Sequence, residues 1–323
     1  MALPNLDLAV EVEQINNYLS KLRDQSPYDD EINDLIDDIL QKGGKRIRPL
    51  ICLLSFEMIS NEIRSDLNYA AACALEIIHN ASLLIDDIYD KDFFRRKEKS
   101  FYLKYSTFAA ISLTYSMSSF ALSLATKTNV LEVVEELIKV LHTLSTSLFL
   151  EKQFRSGERK MSKDEALQLI DRKTSCLFEA ACVIGVIMGT SSKEDREKMV
   201  KFGKLFGRAF QLRDDLLSLL STAEELGKSG VMTDISNRIQ TYIVLEAMDL
   251  ADNEEKKILE EYFLNKKEYP LEQIKKILAE SEAMQSIKNL IENYTKEAIA
   301  IIEKYQDSAP RSKLIEITKA LTI

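Results

Sequence analysis

The sequence predicts an all-α protein that forms a single helical domain over residues 1–323. Glycine and proline are scarce, with 9 and 5 copies, and neither occurs between Pro49 and Gly157. Turns depend on these two residues, so their scarcity argues against an all-β fold and nearly as strongly against a parallel α/β sheet. Apolar residues recur instead at helical spacing along most of the chain. No fixed-period repeat or long linker divides it, which favours one domain over a solenoid.

The helix boundaries follow from breaks in this pattern. Ser26 and Pro27 separate the first two helical segments, and Gly43-Gly44 end the second, because glycine favours a helix stop. The segment 93–103, FFRRKEKSFYL, interrupts the periodicity and predicts a loop, and the polar stretch 222–236 interrupts it again. The predicted helices cover 7–24, 29–42, 49–62, 66–92, 104–125, 130–156, 163–188, 193–221, 235–250, 253–265, 270–279 and 282–307, with a further short helix past Pro310.

Composition excludes several functional classes. Lys and Arg number 43 against 52 Asp and Glu, and the net charge of −9 disfavours a general nucleic-acid binder. The four cysteines lie in apolar runs without metal-site spacing, which is typical of reduced thiols in a cytoplasmic protein. Acids replace the basic residues of a signal peptide at the N-terminus. The uncharged stretch 106–126 is rich in Ser and Thr, which favours a buried helix over a transmembrane segment.

Two acidic clusters end apolar helices. Asp86 and Asp90 lie four residues apart and share a helix face, where they repel each other unless a cation lies between them. Asp214-Asp215 follows a segment with phenylalanines at helical spacing. Either cluster alone is equally consistent with an exposed acidic helix end. Together they predict Mg²⁺ held through the diphosphate of a ligand, because Mg²⁺ prefers carboxylate and phosphate oxygens.

Two basic clusters accompany the two acidic ones. GGKRIRP (43–49) joins two glycines to Lys45 and Arg48 near a helix start, where backbone N–H groups also favour anions. Arg95-Arg96 follows the first acidic cluster, and the planar guanidinium suits phosphate oxygens. A lone basic pair is usually solvated surface charge. Beside acids and glycines, these pairs predict a second, metal-free anion site, next to an apolar cavity suited to a hydrocarbon tail.

Taken in order, the motifs resemble those of the trans-isoprenyl diphosphate synthases, or polyprenyl synthetases, and most of all the geranylgeranyl diphosphate synthases. The resemblance covers about residues 41–242. It rests on GGKRIRP (43–49), HNASLLIDD (79–87) with Tyr89 and Asp90, RR (95–96), KYS (104–106), KTS (173–175), FQLRDD (210–215), LGK (226–228) and TD (233–234). It implies the isoprenoid synthase fold, an all-α bundle around a deep central cavity, normally as a homodimer. The implied reaction joins an allylic diphosphate to isopentenyl diphosphate.

The resemblance also implies roles for individual residues. Asp86, Asp90 and Asp214 would hold three Mg²⁺ ions, supported by Asp87 and Asp215. The allylic diphosphate would be bound by Arg95, Lys173 and Lys228, and isopentenyl diphosphate by Lys45, Arg48, His79 and Arg96. Thr174 and Gln211 would lie near the reacting carbons. Asp86, Asp87, Asp90, Arg95, Lys173 and Asp214 are therefore the expected catalytic residues, while His142 is expected to be structural. The released diphosphate can accept the final proton, so no side-chain base is required.

Four positions depart from the usual family pattern, and two alternatives stay open because of them. Lys97, Tyr115 and Ser218 replace a glycine and two acids, and Ile239 replaces a lysine that normally faces diphosphate, with Arg238 as the neighbouring substitute charge. A non-catalytic subunit of a heteromeric synthase is one alternative. A class I terpene cyclase is the other, although the basic residues match an isopentenyl site that a cyclase does not need.

Product length is predicted from the residues that precede Asp86. Ala81 and Ser82 are small, so neither stops a growing chain early, and a medium-length product is expected, with C20 geranylgeranyl diphosphate favoured. The floor of the cavity would then come from deeper in the cavity or from the facing helix, where the aromatic residues Phe108, Tyr115 and Phe120 are candidates.

Overall fold

Helices follow one another along almost the whole chain. The computed structural model describes residues 8–96, 98–155, 160–190, 192–220 and 233–323. The first helices are α1 (Ala9–Ser20), α2 (Asp30–Gln41), α3 (Ile47–Ser60), α4 (Asp66–Asp90), α5 (Phe101–Lys104), α6 (Thr107–Thr126) and α7 (Leu131–Arg155), with a 3-10 turn at Leu22–Gln25. They are followed by α8 (Lys163–Ile170), a π-helical turn (Asp171–Ser175), α9 (Cys176–Gly189), α10 (Lys193–Leu220), α11 (Thr233–Ser236), α12 (Tyr242–Leu250), α13 (Asn253–Phe263), α14 (Leu271–Glu280), α15 (Ala283–Ile302) and α16 (Ala309–Lys319). The all-α prediction is confirmed.

Local sequence explains where several helices begin and end. Asp29 accepts a hydrogen bond from the backbone N–H of Ile32 at the start of α2, and Ser106 caps α6 in the same way through Ala109. Gly43 and Gly44 follow α2 with φ values of 81° and 147°, a backbone that only glycine adopts without strain. The helix stop predicted at this pair is therefore confirmed.

The loop predicted at 93–103 is wrong in part. Strand β1 (Phe94–Arg95) pairs antiparallel with β2 (Glu98–Lys99), and α5 follows directly. Arg96, between the strands, has a φ of 53°, and this left-handed conformation helps to turn the chain. The hairpin brings Arg95 back to the C-terminal end of α4, where it contacts Asp87.

Two predicted helices are interrupted. The segment 163–188 contains the π-helical turn between α8 and α9, and the segment 235–250 breaks between α11 and α12. The second break contains Arg238 in a left-handed conformation, with a φ of 55°. Hydrophobic periodicity does not reveal the π-helical turn, because helical structure continues on both sides of it. The second break is a non-helical segment, 237–241, between the two helices.

The core is built around α3, which is buried over most of its surface between α4 and α9. A Cβ atom added at Gly185 of α9 would lie 2.4 Å from the carbonyl oxygen of Cys52, so the two backbones pack too closely for any other residue. Helix α10 covers the other side of α9 and packs in turn on α15. The main hydrophobic core extends from Ile15 to Leu321, and a small second cluster consists of Phe154, Met161, Ala166 and Leu245.

Helix α6 is long and apolar enough to cross a membrane, and it is the one described helix for which this holds. One face packs along α4 and buries Leu113, Met117 and Phe120. The opposite face exposes Phe108 and Tyr115, at 80% and 74% of their surface. The sequence predicted a buried helix, and α6 is buried on one face only.

Candidate active site

The acidic helix ends open into one cavity of about 490 Å³. Its walls come from α3, α4, the hairpin, α7 and α8, the π-helical turn, α9, α10, α11 and the segment that leads into α12. The cavity brings together most of the residues singled out in the sequence: Arg48, His79, Ser82, Asp86, Asp90, Arg95, Lys173, Thr174, Gln211, Asp214 and Asp215. Lys45, Asp87 and Arg96 lie beside it but do not line it. Lys97 and Lys228 lie outside the described residues.

The first acidic cluster is partly buried. The side chain of Asp86 is 26% exposed, and burial raises its pKa to about 6, an effect that Asp90 and Glu151 reinforce and that Lys173 opposes. A carboxylate in this environment is stabilised by an added cation. Among the described residues no three His, Cys, Asp or Glu side chains converge on one point, so a metal here would take most of its ligands from water or substrate. That donor set fits Mg²⁺, which usually keeps several waters and binds phosphate oxygens.

Asp87 has a different environment from its neighbours. It is buried and accepts hydrogen bonds from Nε and Nη2 of Arg95, the first at 2.7 Å. Arg95 also lies 3.5 Å from Asp92 and lines the cavity. Burial raises the pKa of Asp87 while the charge of Arg95 opposes the rise. The carboxylate of Asp87 thus fixes Arg95 at the edge of the cavity.

Lys173 lies between two carboxylates. Its Nζ is 2.6 Å from Oε2 of Glu151 and 3.8 Å from Oδ1 of Asp86. Burial alone would lower the pKa of Lys173, but the charges of Asp86 and Glu151 raise it above its ordinary value. Glu151 is only 3% exposed and lines the cavity.

The sequence analysis missed Glu151. The residue lies in a polar stretch that reads as solvated helix surface. The one feature that distinguishes Glu151 is its position on the helix. Ser147, four residues earlier, and Phe154, three residues later, are both buried, so Glu151 lies on the same buried face. A carboxylate in register with a buried helix stripe is unusual, since buried charges need partners.

The KTS motif lies in the π-helical turn rather than in a regular helix. Thr174 donates a 2.6 Å hydrogen bond to Oε1 of Gln211, and Nε2 of Gln211 donates at 2.7 Å to Oδ1 of Asp215. These two hydrogen bonds connect the π-helical turn to the second acidic cluster on α10. Because π-helical turns are often found at functional sites, the irregularity agrees with a site at this position.

Arg48 and His79 form a second group of contacts in the cavity wall. Nη1 of Arg48 lies 3.2 Å from Nε2 of His79, and its guanidinium lies 4.6 Å from the ring centre of Phe178. Burial and the neighbouring arginines, Arg48 first, lower the pKa of His79 well below its ordinary value, so the ring is neutral at pH 7. A neutral imidazole beside Arg48 can donate or accept a hydrogen bond without adding charge.

The glycine loop packs against Arg96. A Cβ atom at Gly44 would lie 3.3 Å from Nη2 of Arg96, and the same nitrogen lies 3.3 Å from Oδ1 of Asn80. Lys45 is half-buried beside the loop; burial lowers its pKa and the charge of Asp214 opposes that change. The two basic motifs, distant in sequence, therefore meet at one place.

Arg46, the central arginine of GGKRIRP, points inward. It is 3% exposed, and its Nη1 lies 2.8 Å from Oε1 of Glu76 on α4. Its Nε donates to Oδ1 of Asn16 at 2.9 Å. Breaking a buried pair of this kind strongly destabilises a protein, so Arg46 anchors the glycine loop.

A second, largely apolar cavity of about 480 Å³ continues from the first. The two share Ser82, Asp86 and Lys173. The second is lined by side chains of α4, α6 and α7: Ile78, Ile85, Thr114, Tyr115, Ser118, Leu122, Ile138, Leu141, His142, Leu144, Ser145, Ser147 and Leu148. Since α4 rises about 1.5 Å per residue, Ile78 lies about 12 Å from Asp86 along the helix. The cavity therefore extends well away from the acidic residues.

The residues expected to set product length are only partly in this cavity. Ser82 and Tyr115 line it. Ala81 is buried elsewhere in the core, and Phe108 is exposed on the surface of α6. Phe120 packs edge-on against Tyr28, 6.4 Å between ring centres. His142, expected to be structural, lies in the cavity wall.

The departure at Ile239 is not compensated by its neighbour. Ile239 and Ser218 line the main cavity. Arg238 points away from it, donates to Oε1 of Glu268 at 2.6 Å and lies over the ring of Tyr262. The backbone break before α12 turns the two adjacent side chains in different directions. Arg238, the neighbouring candidate for compensation, therefore does not bring its charge to the cavity that Ile239 lines.

Fold and site together define an all-helical protein in which a cavity lined by acidic and basic side chains joins a largely apolar one. The sequence model of the polyprenyl synthetase family matches residues 29–281. The geranylgeranyl diphosphate synthase of Methanosarcina mazei is 30% identical over 287 residues, which cover 86% of this chain and 85% of that protein. A short chain isoprenyl diphosphate synthase of Methanocaldococcus jannaschii is 32% identical, over 79% and 75% of the two chains. A polyprenyl synthase from Caulobacter crescentus, solved with calcium and isoprenyl diphosphate, superposes with a TM-score of 0.88 at 24% identity, over 98% and 95% of the two chains.

The chain belongs to the polyprenyl synthetase family and is an isoprenyl diphosphate synthase. Enzymes of this family depend in general on Mg²⁺, and their substrates are an allylic diphosphate and isopentenyl diphosphate.

Proposed function

We propose that the enzyme condenses an allylic diphosphate with isopentenyl diphosphate, head to tail, and releases C20 geranylgeranyl diphosphate. The observation that supports this most directly is the junction of the two cavities at Ser82, Asp86 and Lys173. A charged chamber suits the two diphosphates, and the apolar cavity suits a chain of several isoprene units. The names of relatives such as the Methanosarcina mazei protein support the C20 length.

The substrates would bind to separate groups of cations. Lys173 and Arg95, beside the first acidic cluster, would donate to the allylic diphosphate. Arg48, neutral His79, Lys45 and Arg96 would bind isopentenyl diphosphate. This division follows the two groups of contacts described above, one around Asp86 and one around Arg48 and the glycine loop.

The reaction breaks the bond between the allylic carbon and the diphosphate oxygen and forms a carbon–carbon bond to isopentenyl diphosphate. Asp86, Asp90 and Asp214 would hold three Mg²⁺ ions, whose positive charge stabilises the departing diphosphate. Lys173 and Arg95 would donate to the same oxygens as negative charge develops. The apolar wall excludes water from the allylic cation. The departing diphosphate would then remove the proton that restores the double bond.

The assembly and location of the chain are also proposals. We expect a homodimer through α6 and α7, because Phe108, Tyr115 and Phe149 each expose at least 74% of their surface on these helices. Burial in such an interface also accounts for the apolar character of α6. The continuous core supports one domain over residues 1–323. A cytoplasmic location agrees with the free cysteines Cys52, Cys73, Cys176 and Cys182.

Turnover of the purified chain alone tests the proposal. The chain is incubated with Mg²⁺, isopentenyl diphosphate and allylic diphosphates of five, ten or fifteen carbons, and the dephosphorylated products are separated by chromatography. The expected main product is C20. Activity that appears only after a second synthase subunit is added would support a non-catalytic role. Cyclic hydrocarbons formed without isopentenyl diphosphate would support a terpene cyclase.

A further inference from the structure

The π-helical turn that carries Lys173 is attached to α10 at three points. Thr174 bonds to Gln211, as described above. A Cβ atom at Gly207 of α10 would lie 2.5 Å from Cα of Ser175, so the backbones touch there. The third attachment is Asp171, the first residue of the turn, which pairs with Arg208. The partners on α10 thus lie at 207, 208 and 211, on neighbouring turns of one helix.

The pair between Asp171 and Arg208 has the geometry of a two-point clamp. Nε of Arg208 lies 2.7 Å from Oδ1 of Asp171, and Nη2 lies 2.7 Å from Oδ2. Both side chains are mostly shielded, at 15% exposed for Asp171 and 21% for Arg208. A bidentate pair fixes orientation as well as distance, because both nitrogens of a rigid plane are engaged.

The clamp is itself held by its surroundings. The guanidinium of Arg208 lies 5.6 Å from the ring centre of Tyr294 on α15, which limits its sideways movement. Nζ of Lys204, one turn earlier on α10, lies 3.1 Å from Oδ2 of Asp171 but is 43% exposed. Lys204 therefore adds charge to the pair but little orientation.

Neither Asp171 nor Arg208 lines the main cavity, yet Lys173 is two residues from the clamp. The turn is fixed before Lys173 by Asp171 and after it by Thr174 and Ser175. Lys173 thus reaches the first acidic cluster, at Asp86, while the residues on either side of it contact α10. A displacement of about 1 Å in such a group can lower a rate by about a hundredfold.

We infer that Asp171 and Arg208 are positioning residues that set the placement of Lys173 relative to the first acidic cluster, on α4. This inference rests on the role proposed for Lys173 at the allylic diphosphate. If the pair were merely structural, its loss would lower stability and change the kinetic parameters of both substrates to the same extent. A positioning pair alters the parameters of the allylic substrate and leaves isopentenyl diphosphate nearly unaffected.

Steady-state kinetics with each substrate varied in turn test the inference. Arg208→Lys keeps the charge but loses the second contact, and Asp171→Asn keeps the shape but loses the charge. Each is expected to lower kcat/KM for the allylic diphosphate on the order of tenfold, while KM for isopentenyl diphosphate stays within about twofold. Glu194→Gln is the matched control, because it removes another ion pair of α10, to Lys198 at 2.6 Å, away from the cavity.

Lys173→Ala separates this inference from the proposed function. If Lys173→Ala weakens the allylic substrate and Arg208→Lys adds no further loss in that background, the arginine acts through Lys173. Equal losses for both substrates, or an unchanged allylic kcat/KM in a folded Arg208→Lys variant, would overturn the positioning role while leaving that of Lys173 intact. Unchanged allylic kinetics in Lys173→Ala would overturn both. Circular dichroism identifies any variant that fails to fold, and Arg208→Lys, the milder change, then carries the test.

Discussion

The ammonium of Lys173 lies 2.6 Å from a carboxylate oxygen of Glu151, which is almost fully buried on α7. Asp86 lies on the other side of the same ammonium at 3.8 Å. Attraction to a carboxylate on each side holds the ammonium in place, and neither carboxylate alone has it as an exclusive partner. The arrangement positions Lys173 between the two cavities before any substrate arrives, and it makes the charge of Asp86 depend on Glu151.

The first prediction concerns pH. Burial raises the pKa of Asp86 to about 6, and its ionised form is the one that binds a cation. Activity should therefore fall as pH decreases through about 6, while most enzymes with unperturbed carboxylates would keep theirs to lower pH. The measurement is kcat/KM against pH at Mg²⁺ concentrations well below saturation, where Mg²⁺ does not itself hold Asp86 ionised, with stability followed in parallel. A profile that is flat down to pH 5 would contradict this assignment.

The second prediction uses Glu151→Gln. The negative charge of Glu151 contributes to the raised pKa of Asp86, so removing it should lower that pKa. Lys173 would then interact more strongly with Asp86, which acts in the same direction. The acid limb of the pH profile is expected to move to lower pH. Glu135→Gln, an exposed site on the same helix, is the control and should leave the limb in place.

The third prediction is that the charge of Asp86 lowers the stability of the fold although the reaction requires it. Its folded pKa exceeds that of an unfolded aspartate, so the ionised side chain destabilises the fold above about pH 6 and the penalty disappears as pH falls below the unfolded value. Without Mg²⁺, Asp86→Asn should raise the free energy of unfolding at pH 7 by about 1 to 3 kcal/mol. Turnover should fall by orders of magnitude. Urea denaturation at pH 7 measures the first effect, and a variant that is less stable than the parent would argue against it.

The fourth prediction concerns product length. Ser82→Phe and Ser118→Phe place a ring in the apolar cavity and should shorten the main product, whereas Leu122→Ala at its far part should lengthen it. Ala81→Phe tests whether only residues that line the cavity affect product length, because Ala81 is 1% exposed and does not line it. That change should instead destabilise the protein by about 1 to 3 kcal/mol through overpacking. An unchanged chain-length distribution in both serine variants would exclude this cavity as the site of the growing chain.

The fifth prediction separates the anion sites. Arg96 lies against the glycine loop and Asn80, whereas Lys173 contacts Asp86. Arg96→Ala should raise KM for isopentenyl diphosphate on the order of tenfold or more, because a guanidinium contact to phosphate is lost, and change the allylic KM little. Direct binding of each substrate by calorimetry checks the division. Equal weakening of both would show that the sites are not separate.

Much of the architecture was predictable from the sequence because it depends on local rules. Helical periodicity placed most helices within a few residues, and Gly43-Gly44 marked the end of α2. The motifs identified the family, whose conserved chemistry needs acids, arginines and lysines in a fixed order. The break in the helical pattern at 93–103 was recognised, but the strands Phe94–Arg95 and Glu98–Lys99 are too short to show an alternating pattern. The π-helical turn escaped this reasoning because helical structure continues on both sides of it.

The sequence by itself determined the helical fold, the family and the residue types that the reaction requires. Tertiary structure decided which way those residues point. Ser82 lines the tail cavity and Ala81 does not, Ile239 faces the site and Arg238 turns away, and Glu151 meets Lys173 although 22 positions separate them. Adjacent residues of a helix point about 100° apart, so the packing of each helix against its neighbours, which no local pattern encodes, selects the side chains that enter the cavity.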